Sequence, residues 1–177
     1  MSKNNTYRGH EYVDLGLSVL WATCNIGAVI PEDYGDYYTW EAVREMYSKS
    51  SGEILSSYDL ACLRWGSGWR LPTNEEINEL IENCDYEWTK LNGAYGGKFT
   101  RHGSIFLSAA GWYHEDAYRH VGDYGGYWGA VPVNRNRLGA PLLVFNRDGG
   151  SMPWSDEYIG FTIRPVVDKK YADDETN

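Results

Sequence analysis

From residue 97 onward glycine cuts the chain into short apolar segments: GKFTRHG at 97–103, SIFLSAAGWY at 104–113, GGYWGAV at 125–131, PLLVFNRDGG at 141–150 and IGFTIRPVV at 159–167. Segments of this length, alternating with period two and bounded by turn residues, predict antiparallel strands joined by irregular loops. No segment closely repeats another.

Upstream the pattern is different. In RLPTNEEINELIENC, Thr73 precedes Glu76 by three residues, the spacing at which a hydroxyl and a carboxylate reciprocally satisfy the free N–H groups of a helix start. Ile77, Leu80, Ile81 and Cys84 then form one apolar stripe, with Glu75, Glu79 and Glu82 off it. EYVDLGLSVLWATCNIGA reads as two short strands turning near Gly16, and Trp40, Val43 and Tyr47 fall at helical spacing after Pro31. Strands and helices first, strands last, without regular β-helix-β alternation, predict an α+β domain with two helices and antiparallel sheets.

A chain of 177 residues suits one domain, expected over 8–168, with polar ends at 1–7 and 169–177 that fray because they have little to bury. Sixteen basic and twenty-five acidic residues give a net charge of −9, which disfavours nucleic acid as a partner. No apolar run approaches the roughly 20 residues that cross a bilayer, so no membrane insertion is expected. The start lacks a basic-then-apolar leader, so the expected location is the cytoplasm by default, with a phage particle or a non-classically displayed surface protein as alternatives. Cys24, Cys62 and Cys84 form no C-x-x-C pair and are expected to be buried free thiols.

GWRLPTNEEINELIENC, EYVDLGLSVLWATCNIGA, PEDYGDYYTW, GSIFLSAAGW and GFTIRPV together resemble the Fibrobacter succinogenes major paralogous domain of gut Bacteroidetes, over residues 8 to 167. The Arg-Leu-Pro-Thr helix start and the closing Gly-x-x-x-Arg-Pro-Val are similar to the formylglycine-generating-enzyme branch of the C-type lectin fold. The resemblance implies that fold. The C-terminal part also resembles the variable region of proteins diversified by retroelements, in phage or prophage settings of the human gut. Tyr127 and Trp128, then Ala140, Leu143 and Phe145, then Gly160, Arg164 and Pro165 match its fixed positions. That implies a ligand-binding or display protein whose residues from about 129 to 159 form a variable surface.

The residues themselves support such a division. Along PLLVFN, period two sets Leu143 and Phe145 on one face and Leu142, Val144 and Asn146 on the other, outward if the first set is core. Burial of both faces is the competing expectation. The candidate binding residues are Val131, Val133, Arg135, Arg137, Leu142, Val144, Asn146, Arg147, Asp148, Trp154, Asp156 and Tyr158. Within 131–150, three arginines against Asp148 make the stretch locally +2, suited to an acidic protein or glycan ligand.

Catalysis draws no support from the sequence. The late cysteines on which formylglycine-generating enzymes depend are missing, since the last cysteine is Cys84. GAYGGKF lacks the spacing of a phosphate loop and reads as a hairpin loop. Ser104 and Ser108 lack a nucleophile elbow. His114, Glu115 and His120 are the candidates for an enzyme alternative, although histidines six apart do not share a helical face as a zinc protease requires. No cofactor or metal is expected. A lectin-like accessory domain without a diversified site is the other alternative. Most of Trp21, Trp40, Trp65, Trp69, Trp88, Trp112 and Trp128 are expected in the core, not stacked on sugars.

Overall fold

Val19 and Trp21 alternate with Leu20 and Ala22, and all four are buried. A strand with both faces covered must lie between two bodies of side chains, and this sets the architecture. The computed structural model describes residues 5–43, 60–130 and 140–174.

The chain begins with β1 (Thr6–Tyr7), β2 (His10–Val13) and β3 (Val19–Ala22), the last two turning near Gly16 as expected. β4 (Tyr38–Thr39) leads into α1, described over 40–43. Trp40 and Val43 thus lie in a helix that starts later than the sequence suggests, and Tyr47 lies outside the described residues. Then follow α2 (Leu60–Trp65), β5 (Trp69–Arg70) and α3 (Asn74–Asn83). The middle of the chain supplies β6 (Asp85–Leu91), β7 (Ala94–Thr100), β8 (Ser104–Ser108), β9 (Trp112–His114), β10 (Ala117–Arg119) and β11 (Gly125–Trp128). The end supplies β12 (Ala140–Asn146), β13 (Gly149–Ser151), β14 (Trp154–Ser155), β15 (Gly160–Phe161), β16 (Val166–Asp168) and α4 (Lys169–Asp174).

One sheet, ordered β1-β2-β3-β16-β5, joins the two ends of the chain. A second runs β10-β9-β15-β4, a third β6-β7-β8, and the last runs β11-β12-β13, with β14 paired to the start of β12. The strand ladders are antiparallel, and a lone parallel bridge joins Tyr127 to Thr162. The domain is α+β as expected.

Two cores meet across these strands. One gathers Trp40, Trp69, Trp128, Phe161 and Leu142. The other gathers Trp21, Ile77, Leu80, Phe99, Tyr127 and Phe145. β3 divides Leu20 and Ala22 from Val19 and Trp21, β16 divides Val167 from Val166, and β12 divides Ala140 and Leu142 from Leu143 and Phe145. The expectation that Leu142 faces outward is therefore overturned. Period two separates the faces correctly, but the second face also meets core, and Leu142 is 2% exposed.

α3 forms as its sequence directs. Glu76 N donates to Thr73 Oγ1 at 3.3 Å and Thr73 N to Glu76 Oε2 at 2.8 Å, closing the capping box. Glu76 also receives Arg70 through two bonds of 2.8 and 2.6 Å, and Arg70 reaches Asp168 at 2.7 Å, tying the helix start to β5 and β16. Burial alone would lower the Arg70 pKa, but its bonds to Glu76 and Asp168 raise it above the ordinary value.

Four features depart from the sequence reading. Residues 169–174 form α4, not a frayed tail, because Ala172 enters the core and Tyr171 packs 6.3 Å from Tyr7. Tyr7 is buried and donates to Ser67 O at 2.9 Å, so order begins before residue 8. GAYGGKF lies almost wholly within β7. The turn is at Asn92-Gly93, both at positive φ (47° and 94°), as a two-residue hairpin turn requires. Of the free cysteines, Cys62 is buried and Cys24 and Cys84 are half-buried.

Thr73→Ala is expected to cost about 1 kcal/mol through the lost cap. Ile77→Ala and Leu142→Ala should each cost about 2–5 kcal/mol through lost burial and cavity formation, all three read from urea melts. A second expectation concerns pH. The His10 ring stacks on Trp65 at 3.8 Å between centroids, and burial lowers its pKa from 6.5. The unfolded chain takes this proton first, so the stability contributed by neutral His10 is present above pH 6.5 and is lost as pH falls toward the folded value. His10→Phe should flatten the dependence of the urea midpoint on pH across that window.

Candidate functional site

The residues expected to be fixed in the C-terminal region are inside the protein. Tyr127, Trp128, Ala140, Leu143, Phe145 and Arg164 are each at most 1% exposed, and Gly160 is buried. β11 carries the first pair, and its sequence explains their packing. A Cβ on Gly125 would lie 2.0 Å from the Phe145 ring, so only glycine lets Phe145 stack against Tyr127 at 5.8 Å. Trp128 turns to the other core and donates Nε1–H to Tyr38 O at 2.6 Å.

Arg164 lies fully buried. Its Nε donates to Asn25 Oδ1 at 2.7 Å, and its Nη1 to Ala22 O and Phe106 O at 3.2 and 3.1 Å. Tyr127 OH donates to Ser108 O at 2.7 Å and lies 3.3 Å from Asn25 Nδ2. Burial lowers the Arg164 pKa and raises that of Tyr127, since each would lose hydration as an ion. The guanidinium forms no ion pair among the described residues, so it serves as a structural tie and leaves no charge at the surface.

The candidate binding residues divide around this frame. Val131, Val133, Arg135 and Arg137 lie outside the described residues. Leu142 is core, and Val144 is half-buried against the same core. Asn146, Arg147 and Asp148 occupy the turn into β13, where Asn146 Oδ1 accepts from Asp148 N at 2.8 Å and Asn146 O accepts from Tyr86 OH. Trp154, Asp156 and Tyr158 lie at the opposite end of β12, because β14 pairs Pro141 with Trp154 and Ala140 with Ser155. Seven residues of strand separate the two groups by about 20 Å.

The exposed members at the first end are Arg147 and Asp148, and at the second Asp156 and Tyr158, the last 66% exposed. Gly129 N donates to Pro141 O at 2.8 Å, so the chain on either side of 131–139 is held beside the second end. The sequence missed the neighbours of Arg147. Its guanidinium lies 5.8 Å from the Tyr95 ring, on which Lys90 also sits at 4.2 Å, and Trp88 stacks on the same tyrosine at 6.0 Å. The Asn-Gly turn that pairs β6 with β7 was the signal that could have placed Trp88, Lys90 and Tyr95 together.

The enzyme candidates form no evident centre. His114 closes β9, Glu115 sits at φ 50° in the turn that follows, and the His120 ring packs on Trp112 at 4.6 Å. Among the described residues no group of three or more His, Cys, Asp or Glu could hold a metal ion. No helix among them is long and apolar enough to cross a membrane.

The contrast between frame and surface is measurable without a ligand. Arg147→Ser and Tyr158→Ser should leave stability within about 0.5 kcal/mol, as exposed positions do. Trp128→Ala and Phe145→Ala should cost about 3–5 kcal/mol in the same thermal melts.

A scan against protein-family models matches none, and searches of curated proteins and of solved structures return no match.

Proposed function

We propose that this chain is a non-enzymatic ligand-binding protein with a C-type-lectin-like scaffold, displaying a retroelement-diversified surface within about 129–159. The observation that carries this reading is the interleaving of two residue classes between Ala140 and Arg164. Ala140, Leu143, Phe145, Gly160 and Arg164 are buried, while Arg147, Asp148, Asp156 and Tyr158, of no shared chemical class, are exposed. A chain that varies its surface without refolding needs such a separation, because substitutions at exposed positions are nearly neutral and those in a packed core are not. The ligand is a protein or glycan, met at the two ends of β12.

The burial of Leu142 and the half-burial of Val144 favour a second reading, an accessory lectin-like domain with no diversified site. In that case the protein itself covers the second face of β12 and the exposed residues are ordinary turn residues. Sequencing the DNA around the gene separates the two. The first reading expects a near-repeat of the segment encoding 127–165 beside a reverse-transcriptase gene, with differences at adenines in codons for exposed residues. Sibling copies whose variation is spread evenly over the chain, core included, would overturn it.

A further inference from the structure

The loop from Gly27 to Tyr37 and the segment from Tyr118 to Val121 flank an open groove of about 550 Å³. Tyr34, Tyr37, Tyr118, Val121, Asp33 and Asp36 line it, and none belongs to the 129–159 surface. Two of its aromatic rings, Tyr37 and Tyr118, are in contact, and Tyr113 supports Tyr118 from outside the lining. Tyr118 is 64% exposed, and its ring centroid lies 5.1 Å from both Tyr37 and Tyr113, at interplanar angles of 60° and 61°. Tyr37 donates its hydroxyl to Ala110 O at 2.5 Å, which anchors that ring from behind. Asp36 is held in place by Arg64 Nη2 at 3.1 Å and Tyr38 OH at 3.0 Å. The Asp33 carboxylate is exposed and makes no hydrogen bond or ion pair among the described residues. Among the described residues no lysine, arginine or histidine lines the groove, and the nearby Arg64 is engaged by Asp36.

Electron-rich ring faces beside carboxylates, with no basic group, select for positive charge. A phosphate or carboxylate ligand would meet the Asp33 carboxylate, the charge of Asp36 being offset by Arg64. A net charge of −9 also draws cations toward the protein at a distance. We propose that this groove is a binding site for a small organic cation, an alkylammonium group seated against Tyr37 and Tyr118 with Asp33 as its counter-charge. The group can come from a free amine such as choline or from a lysine side chain of a peptide. This site is independent of the proposed 129–159 surface, and either can fail without the other.

Titration of the full chain, followed by NMR chemical shifts, tests it with four probes: choline, its neutral isostere 3,3-dimethyl-1-butanol, Nα-acetyl-lysine amide and methyl glucoside. Saturable binding of choline or the lysine derivative is expected, with a dissociation constant on the order of 1 mM, which is within reach of a ligand of about seven heavy atoms. The order of those two identifies the source of the ammonium group. The neutral isostere should bind about fivefold more weakly than choline. Tyr118→Ala and Asp33→Asn should each weaken binding by about two- to fivefold, Asp33→Asn at an unchanged melting temperature because its side chain is exposed, and Tyr118→Ala with an amide spectrum that stays folded although its contacts with Tyr37 and Tyr113 are lost. Binding of the isostere as tight as that of choline, preference for the glucoside, absence of saturation by either cation, or indifference to both substitutions would each overturn the proposal.

Discussion

Arg164 holds the fold at the point where most of its elements converge. A guanidinium buried without a carboxylate costs several kcal/mol in lost hydration unless hydrogen bonds replace the water. Asn25, Ala22 and Phe106 supply bonds to Nε and Nη1, from the loop after β3, from β3 itself and from β8, while Nη2 is buried with no partner among the described residues. Asn25 passes the connection on to Tyr34 O at 3.0 Å, and Thr162 reaches the same carbonyl at 2.9 Å. Backbone bonds from Ile26 N to Ile163 O and from Ala22 N to Pro165 O, each 3.0 Å, run alongside. The chain between Thr162 and Pro165 is thereby fixed against the loop that leaves β3.

Burial along β12 is set by partners distant in sequence, whereas the capped helix is set locally. The capped helix was legible because its determinants, Thr73, Glu76 and the stripe from Ile77, sit within eleven residues and need no partner to be recognised. β12 announces its period equally well, yet whether Leu142 is inside depends on Trp128 and Phe161, brought by other strands, and Trp40, brought by α1. Period two says which residues share a face; it does not say whether a second core waits on the other side. The ends of the chain show the same limit. Tyr7 and Tyr171 each look stranded in a polar stretch, but Tyr7 meets Trp69 at 6.0 Å and Tyr171 meets Tyr7. Each supplies what the other has to bury.

Of the candidate surface, the sequence disclosed residue classes more readily than their arrangement. Arg147, Asp148, Asp156 and Tyr158 are exposed as expected, whereas Leu142 is not, and nothing in the linear order reveals that the exposed residues belong to opposite ends of one strand. The antiparallel return of β14 along β12 causes the split. It carries Trp154 back to Pro141 while the intervening turn leaves Arg147 at the far end.

The two ends then differ in electrostatic character. At the first, Arg147 and Lys90 share the Tyr95 ring, with Asp148 the acidic residue of that turn, so positive charge gathers on an aromatic platform within an acidic protein. At the second, Tyr158 and Asp156 are exposed, while Glu157 is buried and adds no charge to the surface. The roughly 20 Å between them exceeds the ~8 Å screening length at physiological salt, so neither end cancels the field of the other. The β12 core, by keeping Leu142 inside, leaves the exposed residues of these two ends apart instead of joining them in one continuous face.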